Sequence, residues 1–360
     1  MIYHQNKGRK IYFTPGPSQL YPTVPEHMQE ALDLDICSAT YGSEAFKNVF
    51  SEAVASVRKL LAIPHSFQIF FLASGTEAMQ RIVQNCCEEN SFHFVNGSFS
   101  KRFYDEAIFS KKNASKHEVP LGKGIDLRNI DIPKADLITL TQTETSAGTS
   151  IPVDSIKAFR KNVPDPILAV DVVSSAPYVD LDYSSLDCAF FSVQKAFGLP
   201  AGLGVIMVNE RALEKAKEVE KARQTGGYHS FSMLNEKAKE NLTPDTPNVL
   251  CMYLLDKVCQ DMQKKGIGRI RKEIDVKASL LYDWAGNDAY VEEKRFQSKT
   301  MIVSKTNDST PIIENAARHG FFIGSGFGPY AKQQIRIANF PAHTINDVKA
   351  LIEVLRDVNY

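Results

Sequence analysis

The chain has 360 residues, of which 43% are hydrophobic, so it is long enough for about two domains with a sizeable core. Lysine plus arginine (42) balance aspartate plus glutamate (42), so no net charge recruits nucleic acid or an acidic membrane surface. No apolar run approaches the ~18 residues that would span a bilayer, and the basic N-terminus lacks the apolar region of a signal peptide. We therefore expect a cytoplasmic globular protein with neither a nucleic-acid nor a membrane partner.

The cysteines and histidines give no sign of a disulfide framework or a metal site. The six cysteines are scattered without C-x-x-C spacing, and most lie in apolar stretches where cysteine behaves as a small hydrophobic residue. None of the eight histidines forms an i, i+4 pair with an acidic residue between. We expect no metal.

Helical and strand-like apolar patterns alternate through the first two thirds of the chain. A helical period over 43–63 ends at Pro64, a short apolar strand follows at 67–72, and a second helical period covers 76–89. Further strands are predicted at 92–95, 137–140, 167–170, 188–193 and 202–208. Continuous apolar strands separated by helices are typical of a mostly parallel sheet covered on both faces, so the sequence predicts an α/β fold.

The last third has a different composition. It is predicted to contain helices at 249–265, 269–285, 312–319 and 345–356 and strands at 300–304 and 334–338. This pattern predicts a smaller α+β domain. The predicted division is a large domain over 15–250 and a small domain over 251–360, which also takes in residues 1–14.

Polar residues follow four of the predicted strands. They are Ser74-Gly75-Thr76, Thr143-Glu144-Thr145, Asp171 and Gln194-Lys195. In an α/β sheet, ligands bind at the carboxyl ends of the strands, so these positions are the candidate site. Three of the four also have an ordinary structural explanation, namely a helix N-cap for Ser74 to Thr76, a turn cap for Asp171 and a surface lysine for Lys195.

Taken together, the four positions match the needs of one cofactor. Ser74-Gly75-Thr76 lies between a strand and a helix, where free amides and the helix dipole favour a phosphate. Asp171 supplies an anion and Lys195 a cation at neighbouring strand ends. Pyridoxal 5'-phosphate (PLP) has a phosphate, a protonatable ring nitrogen and an aldehyde that a lysine captures as a Schiff base.

The ordered set of motifs resembles the class V aminotransferases of PLP fold type I, and among them most closely the phosphoserine aminotransferases. The resemblance covers nearly the whole chain. It begins at Phe13-Thr14-Pro15-Gly16-Pro17-Ser18, continues through the strand-end residues, and finishes at Arg336-Ile337-Ala338-Asn339-Phe340-Pro341-Ala342. It implies a large domain with a mostly parallel seven-stranded sheet, a small C-terminal domain and transamination between amino acids and 2-oxo acids in serine biosynthesis.

The resemblance also implies roles for individual residues. Lys195 would carry the cofactor, Asp171 would pair with the ring nitrogen, and Lys195 would also move protons during the reaction. The remaining implied contacts to the cofactor are Ser74, Gly75, Thr76 and Gln194 at the phosphate, Thr145 at the ring oxygen and Phe99 stacked on the ring. Arg336 would bind the substrate α-carboxylate. Asp245-Thr246 would reach the phosphate of the neighbouring subunit, which implies a homodimer with shared active sites.

Two departures leave the substrate open. Phosphoserine aminotransferases usually carry a His-Arg pair where this chain has Tyr41-Gly42, and Glu77 stands near the phosphate turn where a basic residue is common. The cations that could substitute are Arg81, Lys101, Arg102, Arg223 and His229. An alanine- or serine-glyoxylate aminotransferase of the same class is the alternative, because the stretch 324–329 resembles that branch nearly as well.

Two other possibilities belong to different classes of protein. A nucleotide-binding or non-catalytic α/β protein would use the glycines of 324–328, but these lie late in the chain and are interpreted as a turn. A cysteine desulfurase would need a mobile nucleophilic cysteine, whereas Cys259 lies inside a helical pattern.

Overall fold

The computed structural model describes residues 8–357. Residues 1–7 and 358–360, which belong to the predicted small domain, lie outside the described residues. The strands, numbered in chain order, are β1 (Ile11–Phe13), β2 (Phe67–Leu72), β3 (Asn90–Val95), β4 (Asn113–Glu118), β5 (Leu137–Thr141), β6 (Thr143–Glu144), β7 (Thr149–Ser150), β8 (Ile167–Asp171), β9 (Cys188–Ser192), β10 (Gly204–Asn209), β11 (Met301–Lys305), β12 (Phe321–Ser325) and β13 (Gln334–Ala338).

Eleven α-helices accompany these strands within residues 8–357. They are α1 (Val24–Asp33), α2 (Glu44–Leu61), α3 (Gly75–Cys86), α4 (Ser98–Phe109), α5 (Val153–Asn162), α6 (Glu210–Arg223), α7 (Phe231–Ala238), α8 (Val249–Lys265), α9 (Ile267–Ala285), α10 (Ser309–Arg318) and α11 (Ile345–Arg356). The predicted helices 249–265 and 345–356 have the predicted bounds, and the others differ at their ends.

The large sheet has seven strands in the order β2-β10-β9-β8-β5-β3-β4. Strand β10 runs antiparallel to its neighbours, and the other pairs are parallel. Every residue of β5, β8 and β9 is buried. Central strands covered on both faces carry apolar side chains at successive positions, which is why they read as continuous apolar runs in the sequence. The predicted α/β fold with a mostly parallel seven-stranded sheet is confirmed.

Successive residues of the central strands face opposite layers of core. Val170 and Phe191 belong to the larger hydrophobic cluster, which includes residues of α2 and α8. Their chain neighbours Ala169 and Phe190 belong to the second cluster, which includes residues of α3 and α6. The twofold period of a strand thus divides one apolar run between two helical layers.

A second sheet joins the two ends of the chain. Its order is β1-β12-β13-β11, with β1 parallel to β12 and β13 antiparallel to β12 and β11. Ile11 of β1 shares a hydrophobic cluster with Ile323 and Leu351. Helix α8 packs its buried residues with the large sheet, in the same cluster as Val57 of α2. The division of the chain into domains at residue 250 stays a prediction.

The interpretation of the glycine-rich stretch 324–328 as a turn is only partly right. Gly324 and Ser325 are the last residues of β12, so only the residues after Ser325 form the predicted turn. Within the described residues, no helix is long and apolar enough to cross a membrane. The same residues contain no group of three or more potential metal-binding side chains.

Candidate active site

Lys195 follows β9 and is 7% exposed. Its Nζ donates hydrogen bonds to Thr145 Oγ1 at 2.9 Å and to Ser174 Oγ at 2.8 Å, and these two hydroxyls also contact each other. Thr145 follows β6, and Ser174 lies three residues after Asp171, the last residue of β8. Three chain segments therefore converge on one buried amine.

Asp171 is the buried acid of the same pocket. It is 3% exposed, and its Oδ1 accepts a hydrogen bond from the Val173 amide at 2.8 Å. Among the described residues, no hydrogen bond is made to its Oδ2. Burial raises the pKa of Asp171, while the Val173 bond and the charge of Lys195 oppose that rise. Burial lowers the pKa of Lys195, against the charges of Asp171 and Glu144.

Ser74, Gly75 and Thr76 form the start of α3. Ser74 caps the helix by accepting the Glu77 amide at 3.1 Å, and the Gly75 amide donates to Ser192 Oγ at 2.7 Å. A Cβ on Gly75 would lie 2.8 Å from that same oxygen, so only glycine fits this close approach. Within residues 8–357 the Thr76 amide has no acceptor, and it stands at the positive end of the helix dipole. The N-cap interpretation of Ser74 is confirmed, and a free amide for an anion accompanies it.

Phe99, the predicted stacking residue, lies beside the amine. Its ring centroid is 5.0 Å from Lys195 Nζ and 5.8 Å from the ring of Phe327. Its amide donates to the carboxylate of Glu144, which also accepts bonds from Ser100 and so caps the start of α4. The placement of the ring is thus fixed by a buried carboxylate.

Arg336 lies in β13, next to the Phe327 ring. Its Nε donates to the Ser325 carbonyl at 2.7 Å, and its guanidinium carbon is 5.5 Å from the Phe327 ring centroid. Burial lowers the pKa of Arg336 to about 10, and Glu144 opposes the shift. The two terminal nitrogens make no hydrogen bond with the described residues, so the fork that binds a carboxylate is available.

The other predicted residues are less directly connected to Lys195. Gln194 is half-buried, and its carbonyl accepts the Ser18 amide at 3.1 Å. Asp245 accepts a hydrogen bond from His229 Nε2 at 2.9 Å, and Thr246 is exposed. No contact joins Asp245 or Thr246 to Lys195 within the described residues.

Five cations could substitute for the missing His-Arg pair, and two of them make hydrogen bonds to the first residues of α3. Arg102 donates to Thr76 Oγ1 at 3.3 Å and lies over the Phe99 ring at 5.9 Å. His229 bonds the carboxylate of Glu77. The other three are Arg81, 3.9 Å from Glu77, Lys101, paired with Asp105, and Arg223, 3.9 Å from Glu89.

Ser174 was not among the predicted residues, although its hydroxyl accepts a hydrogen bond from Lys195 Nζ and also contacts Thr145 Oγ1. The available signal was its place three residues after a strand-end acid in Val172-Val173-Ser174-Ser175. Gly16 belongs to the N-terminal motif 13–18 but was not predicted to contact the site, and a Cβ there would lie 3.0 Å from Lys195 Cγ. No local sequence pattern predicts that the N-terminal segment contacts Lys195.

A profile of the family Aminotransferase class-V matches residues 110–289, which is half of the chain. The crystal structure of a phosphoserine aminotransferase from Cytophaga hutchinsonii is 43% identical with a TM-score of 0.94, over 97% of this chain and 98% of that one. The chain belongs to the class-V aminotransferases. The predicted family and PLP fold type I architecture are therefore confirmed, and the protein is a PLP-dependent transaminase.

Two further matches cover 94% or more of the chain at lower identity. A phosphoserine aminotransferase of Rhodococcus opacus (strain B4) is 25% identical over 353 residues, covering 94% of this chain and 92% of its own length. The alanine–glyoxylate aminotransferase structure from Nostoc sp. is 20% identical with a TM-score of 0.81, over 97% of this chain and 95% of that one. The latter likeness supports the fold alone.

Proposed function

We propose that the chain transaminates O-phosphoserine and 2-oxoglutarate, and in reverse 3-phosphohydroxypyruvate and glutamate, with PLP held at Lys195. The observation that carries the substrate class is the 43% identity, over 97% of this chain, to the Cytophaga hutchinsonii phosphoserine aminotransferase. The local chemistry around Lys195 supports the cofactor independently of that likeness.

The side chains and amides at the strand ends fit PLP. The free Thr76 amide, the Ser74 and Thr76 hydroxyls and the helix dipole suit a phosphate, with Arg102 at 3.3 Å from Thr76 Oγ1 as a further positive charge. Asp171 has an unbonded oxygen for a protonated ring nitrogen. Phe99 offers a ring face to stack against, and Gln194 would assist at the phosphate.

Lys195 is suited to work as an amine nucleophile because burial lowers its pKa and so raises its neutral fraction at neutral pH. The Thr145 and Ser174 hydroxyls, at 2.9 and 2.8 Å, hold Nζ in place, and Thr145 would also bond the ring oxygen of the cofactor. Nζ would also take a proton from the substrate α-carbon and return it.

When bound, PLP supplies an aldehyde that amines attack and a ring that accepts electrons. Asp171 would stabilise the proton on the ring nitrogen, which strengthens that acceptor. Arg336 would orient the substrate through its α-carboxylate, because the terminal nitrogens of its guanidinium can donate two parallel hydrogen bonds. Phe99 and Phe327 would exclude water from one side.

A second candidate function is alanine- or serine-glyoxylate transamination, favoured by the missing His-Arg pair. Tyr41 takes that position, and its hydroxyl donates to the Thr243 carbonyl at 2.5 Å. Tyrosine and the following Gly42 carry no charge for a substrate phosphate. Arg102 is the cation closest to the proposed cofactor contacts that could compensate.

Steady-state kinetics with paired substrates separate the two candidates. The donors O-phosphoserine, alanine, serine and aspartate are each combined with 2-oxoglutarate and with glyoxylate. We expect kcat/KM for O-phosphoserine with 2-oxoglutarate to exceed that for alanine with glyoxylate by roughly 100-fold, since a site built for a charged group strongly rejects substrates that lack it. Turnover of alanine or serine with glyoxylate, but none of O-phosphoserine with 2-oxoglutarate, would reject phosphoserine as the substrate.

The covalent anchor is tested by borohydride reduction followed by peptide mass spectrometry. A pyridoxyl adduct is expected on Lys195, and Lys195→Ala should bind PLP without an adduct and with transamination nearly abolished. Lys349→Ala, at an exposed position of α11, is the control that should keep both properties. An adduct on another lysine, or wild-type turnover in Lys195→Ala, contradicts the assignment.

We further propose a homodimer in which Asp245 and Thr246 reach the phosphate of the neighbouring subunit. Two inactive variants, Lys195→Ala and the double variant Asp245→Ala/Thr246→Ala, are mixed under conditions that exchange subunits. A mixed dimer with shared sites contains one site free of both changes. Activity should therefore return to about one quarter of wild type in a statistical mixture of dimers, and to about one half in mixed dimers alone. A mixture that remains as inactive as its components contradicts sharing.

A further inference from the structure

His229 is a buried titratable group that the transamination chemistry does not use. It is 2% exposed, and its two ring nitrogens face two carboxylates. Nδ1 bonds Glu77 Oε1, and Nε2 bonds Asp245 Oδ1 at 2.9 Å. A neutral imidazole has one donor only, so donation to both carboxylates requires the protonated ring. The geometry therefore describes an imidazolium between two anions.

Glu77 connects this cluster to the start of α3. Its Oε2 accepts the Ala73 amide at 2.8 Å, and its own amide donates to the Ser74 side chain at 3.1 Å. One carboxylate thus bonds the residue before the N-cap on one side and His229 on the other. Any shift or change of charge at Glu77 acts on the turn that carries the Thr76 amide.

The surroundings of His229 come from three segments. Helix α3 contributes Glu77 and Arg81, whose Nε is 3.9 Å from Glu77 Oε1. Tyr228 stacks on the imidazole at 3.8 Å between ring centroids, and Asp245 closes the other side. Burial lowers the pKa of His229, but the bonds to Glu77 and Asp245 outweigh it and raise the pKa above its ordinary value.

We infer that His229 is a positioning residue for the cofactor phosphate: it neutralises Glu77 beside the anion-binding turn and ties that turn to the segment that carries Asp245. The inference rests on the proposed PLP site at Ser74 to Thr76. Loss of His229, or of its proton, leaves the Glu77 carboxylate next to an incoming dianion with the more distant Arg81, 3.9 Å away, as its neighbouring cation. Affinity for PLP then falls, whereas affinity for pyridoxal, which lacks the phosphate, does not.

The test compares PLP with pyridoxal on the full-length apoenzyme. Dissociation constants of both are measured between pH 7 and 9.5, where the phosphate charge is constant because its second pKa is about 6. In the wild-type protein the preference for PLP over pyridoxal should fall as pH rises through the pKa of His229. PLP and pyridoxal react with Lys195 through the same aldehyde. The ratio of their dissociation constants therefore removes the pH dependence of that reaction. A wild-type ratio that stays flat while His229→Gln shows the same preference as wild type overturns the inference.

Variants isolate the charge effect. In His229→Gln the preference for PLP at pH 7 should fall by about tenfold, the effect of one charge-assisted contact, and should not vary with pH. The double variant His229→Gln/Glu77→Gln removes both charges, so it should recover most of the preference. A purely structural role predicts that the double variant is no better than the single one, and that result overturns the inference.

His65→Gln, at an exposed position, is the matched control and should behave as wild type. Circular dichroism and thermal unfolding confirm that each variant is folded. If the wild-type apoenzyme captures neither PLP nor pyridoxal at Lys195, the proposed function itself fails. If it captures both and His229→Gln keeps the wild-type preference, only the role of His229 fails.

Discussion

The stem of Lys195 lies directly against Gly16. A Cβ on Gly16 would be 3.0 Å from Lys195 Cγ and 3.1 Å from its Cε. Gly16 also has φ +138°, a backbone conformation that residues with a side chain rarely adopt. The N-terminal segment after β1 therefore packs over Lys195 and confines its side chain.

Gly16→Ala should disturb both the backbone and the lysine. The forced conformation costs about 1–3 kcal/mol, and the displaced amine should lower kcat/KM by roughly 10–100-fold. Thermal unfolding and steady-state kinetics measure the two effects. Gly268→Ala is the control, because a Cβ there meets nothing within 4 Å and the position is helical. That variant should be stabilised by about 0.5–1 kcal/mol with unchanged kinetics. Wild-type activity in Gly16→Ala would contradict the close packing.

Much of the fold was predictable because its central strands are buried on both faces. Their apolar runs end at polar residues, and this boundary alone pointed to Asp171 and Lys195. The pattern works because the carboxyl ends of parallel strands meet at one edge, so residues 24 positions apart in the chain become neighbours. The resemblance to the family depends on these strand ends together with the motifs at 13–18 and 336–342.

The parts that were not predicted depend on partners far away in the sequence. Strand β4 is mostly polar and mostly exposed, so no apolar pattern marks it, and it forms by pairing with β3. Strand β1 has three residues and is defined by its pairing with β12. The contact between His229 and Glu77 spans 152 positions. Local patterns carry no information on which distant residues meet.

Asp171→Asn should keep the fold and lose much of the turnover. Asparagine is nearly isosteric, and its carbonyl oxygen can still accept the Val173 amide, so unfolding should change little. Without a carboxylate to stabilise the ring proton, kcat should fall roughly 100-fold or more. Wild-type kcat in Asp171→Asn loaded with PLP would contradict the role of Asp171 at the ring nitrogen.

Asp187→Asn is the matched control for Asp171→Asn. Asp187 is also buried, but it precedes β9, at the opposite end of the strand from Lys195, where it pairs with Arg160 at 2.9 Å. Replacing it should lower the stability and leave kcat of the folded enzyme unchanged. Loss of kcat in both variants would indicate general damage rather than a role at the cofactor.

Arg336→Lys should weaken substrate binding more than turnover. Lysine can neither keep the Nε bond to the Ser325 carbonyl nor present two parallel donors to a carboxylate. We expect KM for the amino acid to rise about 10–100-fold, with a smaller change in kcat. Arg356→Lys, at an exposed position of α11, should leave both constants unchanged. An unaltered KM in Arg336→Lys would contradict its role as the carboxylate clamp.

Lys277, in α9, gives a prediction on stability and pH. It is 1% exposed, and its Nζ donates at 2.8 Å to the carbonyls of both Phe340 and His343, in the turn after the strand that carries Arg336. Burial lowers the pKa of Lys277 to about 7, and the charge of Lys265 adds to the shift. An unfolded lysine has a pKa of about 10.4, so between these values the unfolded chain binds more protons than the folded one. Stability from this group therefore rises with pH across that window and is lowest below about pH 7.

Lys277→Met should remove both the two hydrogen bonds and this pH dependence. Urea unfolding at pH 7.5, 8.5 and 9.5 measures the difference in free energy of unfolding between wild type and variant. That difference should grow in favour of the wild type by about 1 kcal/mol per pH unit, because the methionine variant no longer releases a proton on folding. Lys349→Met, on the exposed face of α11, serves as the comparison and should give a difference that does not change with pH. A constant difference for Lys277→Met would mean that the lysine stays charged inside the fold, held by the two carbonyls alone.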